Sequence, residues 1–155
     1  MEAIELVALG RRLQKIGEEA LRGGPGAGMP AGPALVLRDV FAHPGTSVND
    51  ISARTGLPQG YVSECVAKLR DDAMLATATD PMDRRRTLVR FAPQHAKRVL
   101  EAGAVPADDA LGRALAEDDP AAVDDVVRAL SGLARRLGLA AEGPVRRKLR
   151  AQQKP

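Results

Sequence analysis

Residues 47–91 read SVNDISARTGLPQGYVSECVAKLRDDAMLATATDPMDRRRTLVRF, and this stretch decides the fold. Ser47, followed three residues later by Asp50, resembles a capping box with Asp in place of the usual Glu or Gln, and predicts the start of a helix. Gly56 can adopt the left-handed conformation that ends a helix, and Pro58 suits the first turn of the next one. The stretch therefore predicts two short helices joined by a tight turn, the second ending near residue 72.

Two strand-like segments follow the second helix. Residues 74–79 tolerate an extended conformation, and residues 86–91 alternate between two faces, as in a strand. Residues 80–85, DPMDRR, form a polar turn between them. Helix, turn, helix and hairpin in this order predict a winged helix-turn-helix, in which the second helix can enter a major groove and the hairpin can reach the backbone or minor groove.

Helices are predicted on both sides of this stretch. Apolar residues recur at helical spacing in residues 2–22. A Gly- and Pro-rich loop at 23–33 separates this helix from a second one at about 34–41. Further helices are expected at about 93–102, 108–116 and 121–137, the last one capped by Asp118 or Asp119. The predicted fold class is mainly α with a small β wing: a winged helix-turn-helix plus N- and C-terminal helices.

The composition excludes several classes of protein. The chain has 155 residues, a net charge of +3 and a single cysteine, Cys65, which cannot form an internal disulfide. It has no run of about 18 apolar residues and no secretory signal, so we expect a cytoplasmic protein without a membrane partner. Aromatic residues make up only 2% of the chain, which argues against base stacking on single-stranded nucleic acid. No catalytic or metal-binding pattern is present, so neither an enzyme nor a cofactor is predicted.

The charge is segregated along the chain. Residues 38–98 carry a net charge of +3, residues 99–142 carry −5, and residues 143–155 carry +5. A basic centre is a possible footprint for a polyanion, although +3 over that length is weak evidence alone. The basic tail is predicted to be disordered.

Two motifs resemble those of one family of regulators. Residues 49–75 resemble, without gaps, the helix-turn-helix of the MarR family (multiple antibiotic resistance regulators), and residues 80–91 closely resemble its D-x-x-D-R-R wing. The resemblance covers about residues 2–138. The chain departs from the family pattern at Glu64, which is often Arg, at Ala73, which is commonly Gly, and after the wing, where the usual Leu-Thr-x-x-Gly is replaced. The resemblance implies a homodimeric, ligand-responsive repressor that binds pseudo-palindromic double-stranded DNA.

The resemblance also implies which residues contact DNA. Arg85 would enter the minor groove, Arg84 and Arg86 would touch phosphates, and Asp80 and Asp83 would brace these arginines. The N-terminal part of the recognition helix would read base edges, with Ser63 and Lys68 suited to phosphates. The full predicted set is Ser47, Pro58, Gln59, Gly60, Tyr61, Ser63, Glu64, Lys68, Asp83, Arg84, Arg85 and Arg86.

The resemblance further divides the chain into regions. Residues 1–22 and 100–142 would form a helical dimerisation region, residues 33–99 the DNA-binding domain, and residues 143–155 the tail. Effectors in this family usually sit between the dimer helices and the DNA-binding lobe. The residues predicted to line such a pocket are equally good core residues: Leu13, Ile16, Val36, Val40 and Phe41.

Three alternatives stay open at this point. The chain could be a winged-helix dimer that serves protein interaction and has lost specific DNA binding, which Glu64 and the low central charge favour and the intact wing motif opposes. Glu64 could read a cytosine or could simply face solvent. Cys65 could be a thiol sensor or a buried structural thiol, and its position among apolar residues favours the second.

Overall fold

The computed structural model describes residues 1–23, 28–92, 105–116 and 119–139. The predicted helix at 93–102 and the tail at 143–155 lie outside these residues. The elements are α1 (Ala3–Gly23), α2 (Ala31–Ala42), β1 (Thr46–Ser47), α3 (Val48–Thr55), α4 (Gln59–Asp71), β2 (Leu75–Thr79), β3 (Thr87–Phe91), α5 (Asp108–Leu115) and α6 (Pro120–Arg136). The predicted fold class, mainly helical with a small sheet, is confirmed.

The chain divides into two compact units. The first contains α1, α5 and α6, and the second contains the elements from α2 to β3. The assignment of residues 1–22 and 100–142 to dimerisation stays a prediction. Among the described residues, no helix has the length and hydropathy of a membrane span.

The second unit is the winged helix-turn-helix. Its core side chains, which include Val36, Val40, Ile51, Val62 and Val89, are completely buried where α2, α3 and α4 meet the sheet. The sheet is antiparallel in the order β1-β3-β2. This packing supports both α4 and the β2–β3 hairpin.

The N-terminal half of this unit differs from the sequence prediction in two places. Helix α2 begins at Ala31, so the predicted loop is wrong for its last three residues. Gly32 and Pro33 are tolerated there because the N–H groups of a first helical turn have no partners within the helix. Strand β1 was not predicted, since a two-residue strand leaves no periodicity in the sequence. Thr46 pairs with Val89, and Ser47 pairs with Leu88.

The turn signals of the helix-turn-helix are confirmed. The Ser47 side chain accepts from the Asp50 N–H, and the Asp50 side chain accepts from the Ser47 N–H, which completes the capping box. Gly56 has a φ of 73° and ends α3 in the left-handed conformation. Helix α4 is also followed by a left-handed residue, but here the residue is Ala73, with a φ of 57°. A left-handed conformation is costly for alanine, which explains why glycine is favoured at such a position.

The first unit has its own small core. Ile16 of α1, Ala110 and Leu111 of α5, and Val123 of α6 are buried together. Asp119 caps α6 as predicted, accepting from the Ala121 N–H at 3.0 Å. These residues form the core between the three helices of this unit.

Candidate nucleic-acid interface

Helix α4 presents the predicted recognition face to solvent. Its inward positions, Val62, Cys65, Val66 and Leu69, are buried in the core. The predicted contact residues on this helix are all exposed: Gln59, Gly60, Tyr61, Ser63, Glu64 and Lys68. Pro58, also exposed, occupies the N-cap position, one residue earlier than predicted, and its carbonyl accepts the Val62 N–H at 3.0 Å. The 3.6-residue period of the helix therefore separates a buried face from a polar one.

Tyr61 is more constrained than the other residues of this face. Its ring lies over Gly32 of α2, so that a Cβ added to Gly32 would stand 2.3 Å from the Tyr61 hydroxyl oxygen. Glycine at position 32 therefore makes room for the tyrosine, a contact that sequence reasoning missed because it joins two helices.

Hydrogen bonds brace the turn of the wing, and two of its arginines have no side-chain partner among the described residues. The Asp80 carboxylate accepts the Met82 N–H at 2.9 Å, and the Asp83 carboxylate accepts the Arg85 N–H at 3.0 Å. These aspartates therefore brace the backbone of the turn and not, as predicted, the guanidinium groups. The side chains of Arg84 and Arg85 are exposed and have no hydrogen-bond or ion-pair partner in the part of the chain that the structure describes.

Arg86 differs from the two arginines before it. Its guanidinium forms an ion pair with Asp50 and donates to the Ser47 hydroxyl at 3.4 Å. The Asp50 carboxylate also accepts from the Ser47 hydroxyl at 2.7 Å, and this bond, with the backbone bond to Ser47 and the charge of Arg86, lowers the pKa of Asp50 below its usual range. Ser47, a predicted DNA contact, is 5% exposed, and its hydroxyl is already engaged in these bonds. Its contact with DNA stays a prediction.

A second charged pair in the winged-helix unit joins a buried carboxylate to a partly exposed guanidinium. Arg54 of α3 binds Asp39 of α2 through Nε at 2.8 Å and Nη2 at 2.7 Å, and it also donates to the Thr46 hydroxyl. Asp39 is 8% exposed, and its bond raises the pKa of Arg54 further above the ordinary value. Sequence analysis missed this pair; the available signal was one acid within the apolar pattern of α2.

The cysteine and three of the five predicted pocket residues are buried in the cores of the two units. Cys65 is buried, and burial raises the pKa of its thiol, which disfavours the reactive thiolate. Val36 and Val40 are fully buried in the winged-helix unit, and Phe41 meets Phe91 edge to face, with ring centroids 5.9 Å apart. Ile16 is buried and Leu13 half-buried in the first unit. An effector pocket formed by the predicted residues stays a prediction.

The chain is similar to a known family of DNA-binding domains and to solved transcription regulators. A family described as a winged helix DNA-binding domain matches residues 32–94 of this chain. No curated protein matches this chain. The family match covers the unit that carries α4 and the wing.

Solved structures extend the similarity to most of the chain. The PcaV transcriptional regulator from Streptomyces coelicolor, solved with its natural ligand, is 25% identical with a TM-score of 0.64, covering 92% of this chain and 100% of its own. BpsR from Bordetella bronchiseptica, whose DNA binding is regulated by 6-hydroxynicotinic acid, is 23% identical with a TM-score of 0.63, covering 86% of this chain and 93% of its own. Apo MarR from E. coli is 14% identical with a TM-score of 0.67, covering 88% of this chain and 97% of its own. The last two similarities concern the fold.

Proposed function

We propose that this chain, whose residues 32–94 match a winged helix DNA-binding domain, is a transcription regulator of the MarR type and not an enzyme. We further propose that it acts as a homodimeric, ligand-responsive repressor. Each protomer would place α4 in a major groove and the wing tip in the adjacent minor groove of a pseudo-palindromic site. The observation that carries the proposal is that one unit has both an exposed polar face on α4 and two wing arginines without a partner in the described part of the chain. A cytoplasmic location stays a prediction that follows from this function.

The wing supplies charge where duplex DNA is most negative. Arg85 at the turn can enter a narrow minor groove, whose potential attracts guanidinium groups. Arg84 beside it can neutralise a phosphate. On α4, Gln59 can pair with adenine and Glu64 can accept from a cytosine amino group. Glu64 is exposed, so it costs affinity at any site that offers no such donor.

Dimer formation is supported by apolar side chains that the first unit leaves in solvent. Ile4 and Val7 of α1 are more than half exposed, and so is Leu137 at the end of α6. Exposed apolar surface can mark an interaction site in a soluble protein. A second copy of the chain would bury them, and the resulting two-fold symmetry would match a palindromic site.

Size-exclusion chromatography with light scattering tests the dimer. Leu137→Glu should shift the protein toward monomer, because a charge would enter the proposed interface. Leu35→Glu is the matched control, since Leu35 is an exposed leucine of the winged-helix unit. Equal masses for the wild type and Leu137→Glu would contradict this dimer surface.

A small-molecule effector is the third part of the proposal. PcaV was solved with a ligand, and the DNA binding of BpsR responds to an aromatic acid. We therefore expect an organic effector to weaken DNA binding by favouring a conformation with the wrong half-site spacing. A panel of aromatic acids in a DNA-release assay tests this; if no compound releases DNA or raises the unfolding temperature, ligand control is contradicted for that class.

DNA binding itself is tested by fluorescence anisotropy with the upstream region of the protein's own gene at several salt concentrations. Arg85→Ala should weaken specific binding about 5- to 150-fold, as expected for losing about 1–3 kcal/mol of contact, and should lower the salt slope by about one. Arg70→Ala is the matched control, because Arg70 is exposed and pairs with Asp71 at the far end of α4. Absent or sequence-independent binding by the wild type would favour the alternative of a protein-interaction module.

A further inference from the structure

We propose that Arg86 is a positioning residue and not a DNA contact: its ion pair with Asp50 fastens the wing to the N-terminus of α3 and so sets where Arg84 and Arg85 stand. We call Ser47, Asp50 and Arg86 the wing latch. The role of the latch in DNA binding rests on the proposed function, but the latch itself can be tested without DNA.

The latch joins two parts of the chain that are distant in sequence. Arg86 Nη2 reaches Asp50 Oδ2 across a sequence separation of 36 and also donates to Ser47 Oγ at 3.4 Å. The Ser47 hydroxyl donates to the same Asp50 oxygen at 2.7 Å. Because Ser47 is buried and belongs to both β1 and the capping box, the acceptor end of the latch is fixed to the body of the domain.

The latch lies where regular pairing of the wing with the body stops. Strand β1 has only two residues, and its last pair is Ser47 with Leu88. Arg86 comes two residues before Leu88, just outside both the β1–β3 pairing and the last β2–β3 pair, Thr79 with Thr87. The latch therefore extends a very short attachment by one side-chain link and fixes the direction in which residues 80–85 leave the sheet.

Backbone hydrogen bonds connect Arg86 to the tip of the wing. The Arg86 N–H donates to the Asp83 carbonyl at 2.9 Å, and the Arg86 carbonyl accepts the Asp80 N–H at 2.8 Å. The Asp83 carboxylate in turn holds the Arg85 N–H. Movement of Arg86 would thus move the tip as one piece. Because α3 packs on α4, the latch also fixes the position of the tip relative to the recognition helix.

Charge divides the three consecutive arginines into two roles. Asp50 offsets the positive charge of Arg86, so this guanidinium attracts a phosphate less strongly than an arginine without an acidic partner does. Arg84 and Arg85 have no such partner in the described part of the chain. Two arginines therefore remain to neutralise DNA, and the third holds them in place.

Amide hydrogen exchange of residues 80–91 tests the latch without DNA. Arg86→Gln removes the cation, and Asp50→Asn removes the anion while keeping an oxygen that can accept from Ser47. Each should speed exchange in the wing several-fold, and the double variant should match the single ones, because the latch breaks only once. Arg84→Gln is the matched control and should leave exchange unchanged.

Salt-dependent DNA binding supplies the second readout. Arg86→Gln should weaken binding about three- to tenfold with an unchanged salt slope, whereas Arg84→Gln should lower the slope by about one, as for a lost phosphate contact. Unchanged wing exchange in Arg86→Gln, together with a slope reduced like that of Arg84→Gln, would overturn the latch. If the wild type bound no DNA, the proposed function would fall, and the exchange experiment would still decide the latch.

Discussion

Replacing Asp39 by alanine tests the ion pair that ties α2 to α3. Asp39 is nearly buried and accepts two short hydrogen bonds from Arg54. The substitution removes both hydrogen bonds to the Asp39 carboxylate and leaves the Arg54 guanidinium its hydrogen bond to the Thr46 hydroxyl. We expect the winged-helix unit to lose about 2–3 kcal/mol of unfolding free energy.

This magnitude follows from the burial of the two partners. Removing one partner from a fully buried ion pair costs about 3–5 kcal/mol, and a hydrogen bond to a charged group contributes about 1.5–3 kcal/mol. The Arg54 side chain is 35% exposed, so water can replace part of what it loses. The expected cost therefore lies below the fully buried range, yet it is a large share of the stability of about 5–15 kcal/mol typical of a protein.

Urea unfolding followed by far-UV circular dichroism measures the loss, since the chain has no tryptophan to report by fluorescence. Asp71→Ala is the matched control, because Asp71 is an exposed carboxylate that pairs with Arg70 at 3.3 Å. Exposed pairs contribute about 0–1 kcal/mol. The double variant Asp39→Ala/Arg54→Ala should cost less than the sum of its parts. A loss for Asp39→Ala no larger than that for Asp71→Ala would refute the reasoning.

Three further predictions concern local packing and backbone strain. Ala73→Gly should stabilise the protein by about 0.5–1 kcal/mol in thermal unfolding, because it relieves a left-handed alanine, whereas Ala53→Gly on α3 should destabilise it by about as much; a destabilising Ala73→Gly would contradict the strain. Gly32→Ala should cost about 1–3 kcal/mol through its clash with Tyr61, and the same change in a Tyr61→Ala background should be neutral or stabilising; equal effects in both backgrounds would exclude the clash. Cys65 should react slowly with a thiol reagent in the native protein at pH 8 and rapidly in urea, because burial raises its pKa; fast native labelling would favour the thiol-sensor alternative.

Local signals predicted the framework of the winged-helix unit. The capping box of Ser47 and Asp50 and the left-handed Gly56 depend on residues within a few positions of one another, so the sequence contains the whole signal. The alternation over residues 86–91 likewise located β3 to within one residue. Prediction was poorer for β1, whose two residues become a strand only because β3 lies beside them.

The sequence by itself determined that residues 47–91 form two helices and a hairpin and that three consecutive arginines stand at the end of that hairpin. Only the tertiary structure decided that Arg86 is paired with Asp50 while Arg84 and Arg85 have no partner in the described part of the chain. The physical reason is range. Helix caps and turns depend on backbone geometry over three or four residues, whereas an ion pair depends on the distance between side chains that folding alone brings together.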